Sequence, residues 1–123
     1  MSERAPHQAF RSLTSDEAAI LDRLIEMTDI SVRPTVSLST AKARSMNDGG
    51  MGSIGFVYET SAPTIGSKEI VVAGASDVDG VHLSLALNVD SLGRVAELDV
   101  WKVDFSPLLK LPQPDNLVLE RAA

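Results

Sequence analysis

Ile70-Val-Val-Ala-Gly-Ala-Ser-Asp77, Val81-His-Leu-Ser-Leu-Ala-Leu-Asn-Val-Asp90 and Arg94-Val-Ala-Glu-Leu-Asp-Val-Trp-Lys-Val-Asp-Phe105 decide how this chain folds. Three strand-like runs separated by two short turns predict a β-meander. In the middle run Val81, Leu83, Leu85, Leu87 and Val89 alternate without a break against His82, Ser84, Ala86, Asn88 and Asp90, the pattern of a strand buried on one face. Asp79-Gly80 predicts a type I′ turn, and Ser91-Leu-Gly93 a three-residue loop with Gly93 in the left-handed region. Along the third run the apolar phase changes. Ala96, Leu98 and Val100 share one face, and Trp101, Val103 and Phe105 share the other. That change predicts a bulge near Val100-Trp101, or a second half covered on its opposite face.

Working outward, Thr14-Ser-Asp-Glu17 matches a capping box ahead of Ala18, Leu21, Leu24, Ile25 and Thr28, which recur at helical spacing. A helix of about 14 residues with one apolar face is expected. Residues 1–12 read as a flexible lead-in anchored by Phe10, ahead of a single domain over 13–123. Val32 to Thr40 alternates like an edge strand interrupted by Pro34, and Ser53 to Glu59 like another strand. Between them, Ala41 to Asn47 is a basic segment containing Lys42 and Arg44, and Asp48-Gly-Gly-Met-Gly-Ser53 is a glycine-rich turn. Thr60 to Lys68 reads as a loop. The leucines and valines from Leu108 to Leu119 require the C-terminal part to pack back onto the body. The fold class predicted is α+β, an N-terminal amphipathic helix on an antiparallel sheet of about five strands ending in the meander.

Composition narrows the function. The 123 residues carry a net charge of -6, which disfavours a nucleic-acid partner because phosphate contacts need clustered Lys and Arg. No cysteine is present, so disulfides, thiolate metal sites and Cys nucleophiles are excluded. No run has the ~20 apolar residues of a membrane span, and the N-terminus lacks a signal-peptide core, so a cytoplasmic location is expected. His7 and His82 lack metal-ligand spacing and read as surface residues, so neither a metal nor a cofactor is expected.

Two polar clusters stand out. Glu97 and Asp99 share a strand face about 7 Å apart, with Trp101 next on that face and Asp104 opposite. The two acids read first as the wet face of a strand, and beside an aromatic anchor they also have the composition of an interface hot spot. Asp48, Gly49 and Gly50 are the ligand-loop candidate, although their pattern is neither dinucleotide fingerprint nor P-loop, and a turn needing positive φ is the simpler reading.

At Asp48-Gly-Gly-Met-Gly-Ser, Asn88-Val-Asp and Glu97-Leu-Asp-Val-Trp-Lys-Val-Asp-Phe-Ser-Pro-Leu108 the chain resembles a family of small uncharacterised bacterial proteins. Leu13-Thr-Ser-Asp-Glu17 resembles that family's helix start, and the likeness runs from about Phe10 to Pro112. The family looks similar in type to immunity proteins of polymorphic toxins, which implies a binding role without assigning contacts. The leading expectation is a non-enzymatic binding protein that masks a basic toxin domain. One alternative is a small-ligand protein or enzyme with a site between the Gly49-Gly50 loop and the Glu97/Asp99 strand. The other is a structural homodimer, rather than a monomer, paired through the edge strand starting at Val32.

Overall fold

The structure, a computed structural model, describes residues 10–34, 42–58 and 68–122. These contain helix α1 (Ser15–Met27) and strands β1 (Lys42–Ser45), β2 (Ile54–Val57), β3 (Lys68–Ser76), β4 (His82–Val89), β5 (Val95–Lys102) and β6 (Val118–Ala122). Single 3-10 turns lie at Ile30–Val32 and Pro114–Asn116. The strands form one sheet in the order β1-β2-β5-β4-β3-β6, antiparallel throughout. The α+β class and the β3-β4-β5 meander are as the sequence predicts, but the described residues hold six strands rather than about five.

Both unforeseen details lie at the sheet's edges. Lys42–Ser45 is a strand although it is basic, because only Ala43 has to point inward, and its side chain is wholly buried. Four residues give too short an alternation to stand out. Ile30–Val32 is a 3-10 turn rather than a strand start, and residues 35–40 of the expected edge strand lie outside the described residues, as does most of the expected loop over 60–68. At the other edge the C-terminal segment returns as β6 against β3. Leu117 enters the core there.

The Asp79-Gly80 turn is not type I′. Gly80 has φ +84° while Asp79 stays out of the left-handed region. The Gly80 N–H donates to the Asp77 carbonyl and the Asp77 N–H to the Val81 carbonyl, so the loop is the three residues Val78 to Gly80. The Asp90 to Arg94 hairpin repeats this pattern, with Gly93 at φ +79°. Each loop starts after an aspartate and ends on a glycine, the form of a turn closed by a left-handed residue.

Leu83, Leu85 and Leu87 of β4, Val71 and Ala73 of β3, and Leu98 and Val100 of β5 make the inner face. Ile20, Leu21 and Leu24 of α1 cover it, each fully buried. Removing one such side chain from water contributes roughly 1.5–3 kcal/mol, and these contacts hold the two layers together.

The predicted capping box forms, with the Glu17 N–H donating to Thr14 Oγ1 at 3.1 Å and the Thr14 N–H to Glu17 Oε1 at 2.9 Å. Arg11 adds a two-pronged ion pair to Glu17 at 2.7 and 2.9 Å. It also exchanges main-chain hydrogen bonds with Ala43, tying the helix start to β1. Phe10 is no anchor, being half exposed. At the helix end Arg33 donates to the Glu26 and Thr28 carbonyls, which the last turn leaves open. Replacing Thr14 by Ala is expected to cost about 1 kcal/mol and lower Tm by roughly 3–5 °C. An unchanged Tm by calorimetry would contradict the cap.

Candidate functional site

The face of the sheet opposite α1 carries the polar halves of the strands. Cross-strand register sets them in rows: Trp101-Ser84-Gly74-Val118, and beside it Asp99-Ala86-Val72-Arg121. Small side chains on the two central strands lie between tall ones on β5 and β6, about 14 Å apart across three strand spacings. The result is a trough of about 400 Å³.

Glu120 is the extra residue of a bulge in β6, where pairing shifts from Arg121 opposite Val72 to Leu119 opposite Ala73. Its carboxylate lies over Gly74, where any Cβ would collide with it, and reaches His82 Nε2 at 3.4 Å. His82 is therefore not an isolated surface histidine. It and Glu120 also line a second depression of about 500 Å³ bounded by Ser76 and Asn116. Arg121 is paired with Glu69 at 3.1 Å.

Of the residues expected to bind a partner, Asp99 and Trp101 lie together on this outer face and are exposed. Glu97 is half-buried and accepts from Asn88 Nδ2 at 3.5 Å. Asp104 lies in the turn beyond β5, where it accepts from the Ser106 N–H and hydroxyl. These bonds hold the Asp104 carboxyl below its usual range. No bulge occurs at Val100-Trp101: register is continuous from Leu98 to Lys102, and the irregularity falls at Ala96 instead. Nor is the far half of the strand covered, since Trp101, Val103 and Phe105 are all exposed. Trp101 and Phe105 face each other with ring centroids 6.0 Å apart. Phe105 has φ +64°, a conformation that costs a side-chain-bearing residue about 1–2 kcal/mol.

Continuous register has a second consequence. With Leu98 and Val100 inward, Lys102 is inward too, and it is wholly buried. Its ammonium donates to Asp77 Oδ2 at 2.8 Å, Asp79 Oδ2 at 2.7 Å and the Pro107 carbonyl at 3.2 Å. Asp77 also accepts from the N–H groups of Val78, Leu109 and Lys110. Burial pushes the Asp77 carboxyl up, but the bonds from Leu109, Lys102, Val78 and Lys110 outweigh it and hold the group down at about 2. Burial likewise opposes the charge on Lys102, and its two carboxylates reverse this and raise its pKa. The cluster pins residues 107–110 to the β3-β4 hairpin. The signal for it was present in the alternation Leu98, Val100, Lys102 with acids at the adjoining hairpin end.

The glycine-rich loop is built for the same end of β5. Gly49, Gly50 and Gly52 have φ of +77°, +80° and +99°. Asp48 turns its carboxylate onto the N–H groups of Met51 and Ser53, occupying the donors that an anion would need. Beyond the short β2 pairing, Ser53 Oγ accepts from the Val100 N–H and lies 3.1 Å from the Val100 carbonyl. Met51 Sδ accepts from the Lys102 N–H. The loop's side chains thus stand in for a missing neighbouring strand. Gly50 and Gly52 pack on Pro107 and Leu108. Neither depression described above is lined by Asp48, Gly49 or Gly50. Among the described residues, no group of three or more His, Asp or Glu is placed to hold a metal ion. No helix there is long and apolar enough to cross a membrane.

Residues 10–112 match the family described as a domain of unknown function, DUF6984, and the chain belongs to it. No curated protein and no solved structure matches the chain.

The depressed Asp77 pKa has a signed consequence. Its folded value, about 2, lies below the ordinary 3.8, so its stabilisation is complete above pH 3.8 and lost as pH falls through 2. Asp77→Asn is expected to lower Tm at pH 7 by roughly 10 °C and to flatten the loss of stability between pH 4 and pH 2. Urea unfolding across that range tests this, and curves for variant and parent that run parallel would contradict it.

Proposed function

We propose that this DUF6984 protein is a non-enzymatic, cytoplasmic protein-binding module of the immunity type. In this reading it masks a basic protein, such as a toxin domain, with the outer face of its sheet. The observation that carries the proposal is the aromatic pair Trp101 and Phe105, exposed at the end of the outer sheet face with Asp99 and Asp104 beside it. Large aromatics exposed among carboxylates match the anchor-and-rim composition of interface hot spots. Phe105 adds a second exposed ring to this patch. The net charge of -6 favours encounter with a basic partner.

The partner to test is a basic, toxin-like domain encoded by the neighbouring reading frame. By calorimetric titration, Trp101→Ala is expected to weaken Kd about 30-fold, the effect of losing a hot spot of about 2 kcal/mol. Asp99→Lys should weaken it further at low salt than at high salt. Affinities equal to the parent's for both variants would overturn this surface, and no binding by the parent would overturn the function.

A further inference from the structure

The trough between Trp101 and Glu120 has a chemistry of its own. Its floor is shallow because Ser84 and Ala86 are small, and the neighbouring glycine at position 74 is what lets the Glu120 carboxylate lie over the sheet. A glycine in the interior of a strand weakens it, and commonly marks a place where another group must approach the backbone closely. One wall is the indole of Trp101, which is 46% exposed and so presents ring surface to the trough. Among the described residues, three carboxylates line the space, Glu69, Asp99 and Glu120, against one guanidinium, Arg121, and the imidazole of His82. Arg121 is held by Glu69, so the two neutralise each other locally. Glu120 faces His82 Nε2 at 3.4 Å, and Asp99 has no guanidinium or ammonium partner among the described residues that line the trough.

We infer that this trough is a receptor for a planar or compact organic cation, the guanidinium or ammonium group at the end of an arginine or lysine side chain. The cation would lie against the Trp101 ring, where the ring's negative face attracts it, and direct its N–H groups to Asp99 and Glu120. A volume of about 400 Å³ lies within the range of small-group sites. This rests on the proposed binding function, and assigns the partner's contribution as a basic side chain inserted into the sheet face. A free organic cation presents the same chemistry, and the test separates the two.

Trp101 is the chain's one tryptophan, so fluorescence excited selectively in tryptophan reports on this wall alone. Titration of the full chain with acetyl-arginine amide is expected to change the emission saturably, with the uncharged citrulline analogue giving no change. Glu120→Gln and Asp99→Asn, which keep shape and remove charge, should each weaken the apparent affinity at least fivefold. Asp22→Asn, an exposed carboxylate on the helix side, should leave it unchanged. Equal responses to arginine and citrulline analogues, or equal affinities in parent, Glu120→Gln and Asp99→Asn, would overturn the site. The basic toxin-like domain separates the sources. A loss of domain affinity in Glu120→Gln supports insertion of a partner side chain. Saturable binding of the arginine probe with domain affinity unaltered by Glu120→Gln overturns that assignment in favour of a free cation, while leaving the proposed function standing. Failure of the parent to bind the domain overturns the proposed function, and the probe titration still decides the trough.

Discussion

A cation in the core is what the rest of this structure answers to. Lys102 occupies the position that alternation from Leu98 and Val100 would give to a leucine, and its ammonium is wholly enclosed. Burying a charge is unfavourable by several kcal/mol unless partners restore what water supplied. Asp77, Asp79 and the Pro107 carbonyl do so, and all three come from turns rather than strands. Sliding β5 by one residue would send Lys102 to the outer face, away from Asp77 and Asp79, and Trp101 into the core. The ion cluster therefore specifies register, and register is what keeps Trp101 on the outer face.

The same contacts organise the neighbourhood. Asp77 gathers the N–H groups of Leu109 and Lys110, so the chain beyond β5 folds back across the end of the sheet. Pro107 and Leu108 then rest on Gly50 and Gly52, which explains why a loop rich in glycine lies there. Between Lys102 and Pro107 the chain must reverse in a few residues, and the reversal places Phe105 at positive φ beside Trp101. Strain, exposure and aromatic pairing at the outer face follow from a constraint buried on the opposite side.

Much of this was legible in the sequence where local pattern and tertiary demand agree. The unbroken alternation of Val81 to Val89 and the capping box at Thr14 to Glu17 each state their structure, and both are found. The edge strand Lys42–Ser45 escaped notice because its neighbours ask only Ala43 to be apolar. Asp79-Gly80 suggested the wrong turn because Asp77, two residues earlier, closes the loop. Lys102 was missed since charge normally reads as exposure, whereas its two carboxylate partners sit more than twenty residues away. On the candidate site, Asp99 and Trp101 were foreseen on one face. The His82–Glu120 pair was not, because only the return of β6 and the absence of a Cβ at Gly74 bring them together.

The central claim is that the outer sheet face around Trp101 is where this protein meets its partner. One fluorine-labelled tryptophan in place of Trp101 gives a single fluorine NMR resonance that reports on that face and no other. On saturation with the basic toxin-like domain the resonance is expected to move to a new position and lose its sensitivity to replacement of H2O by D2O. A complex that forms while the resonance keeps both its position and its solvent sensitivity would contradict the claim.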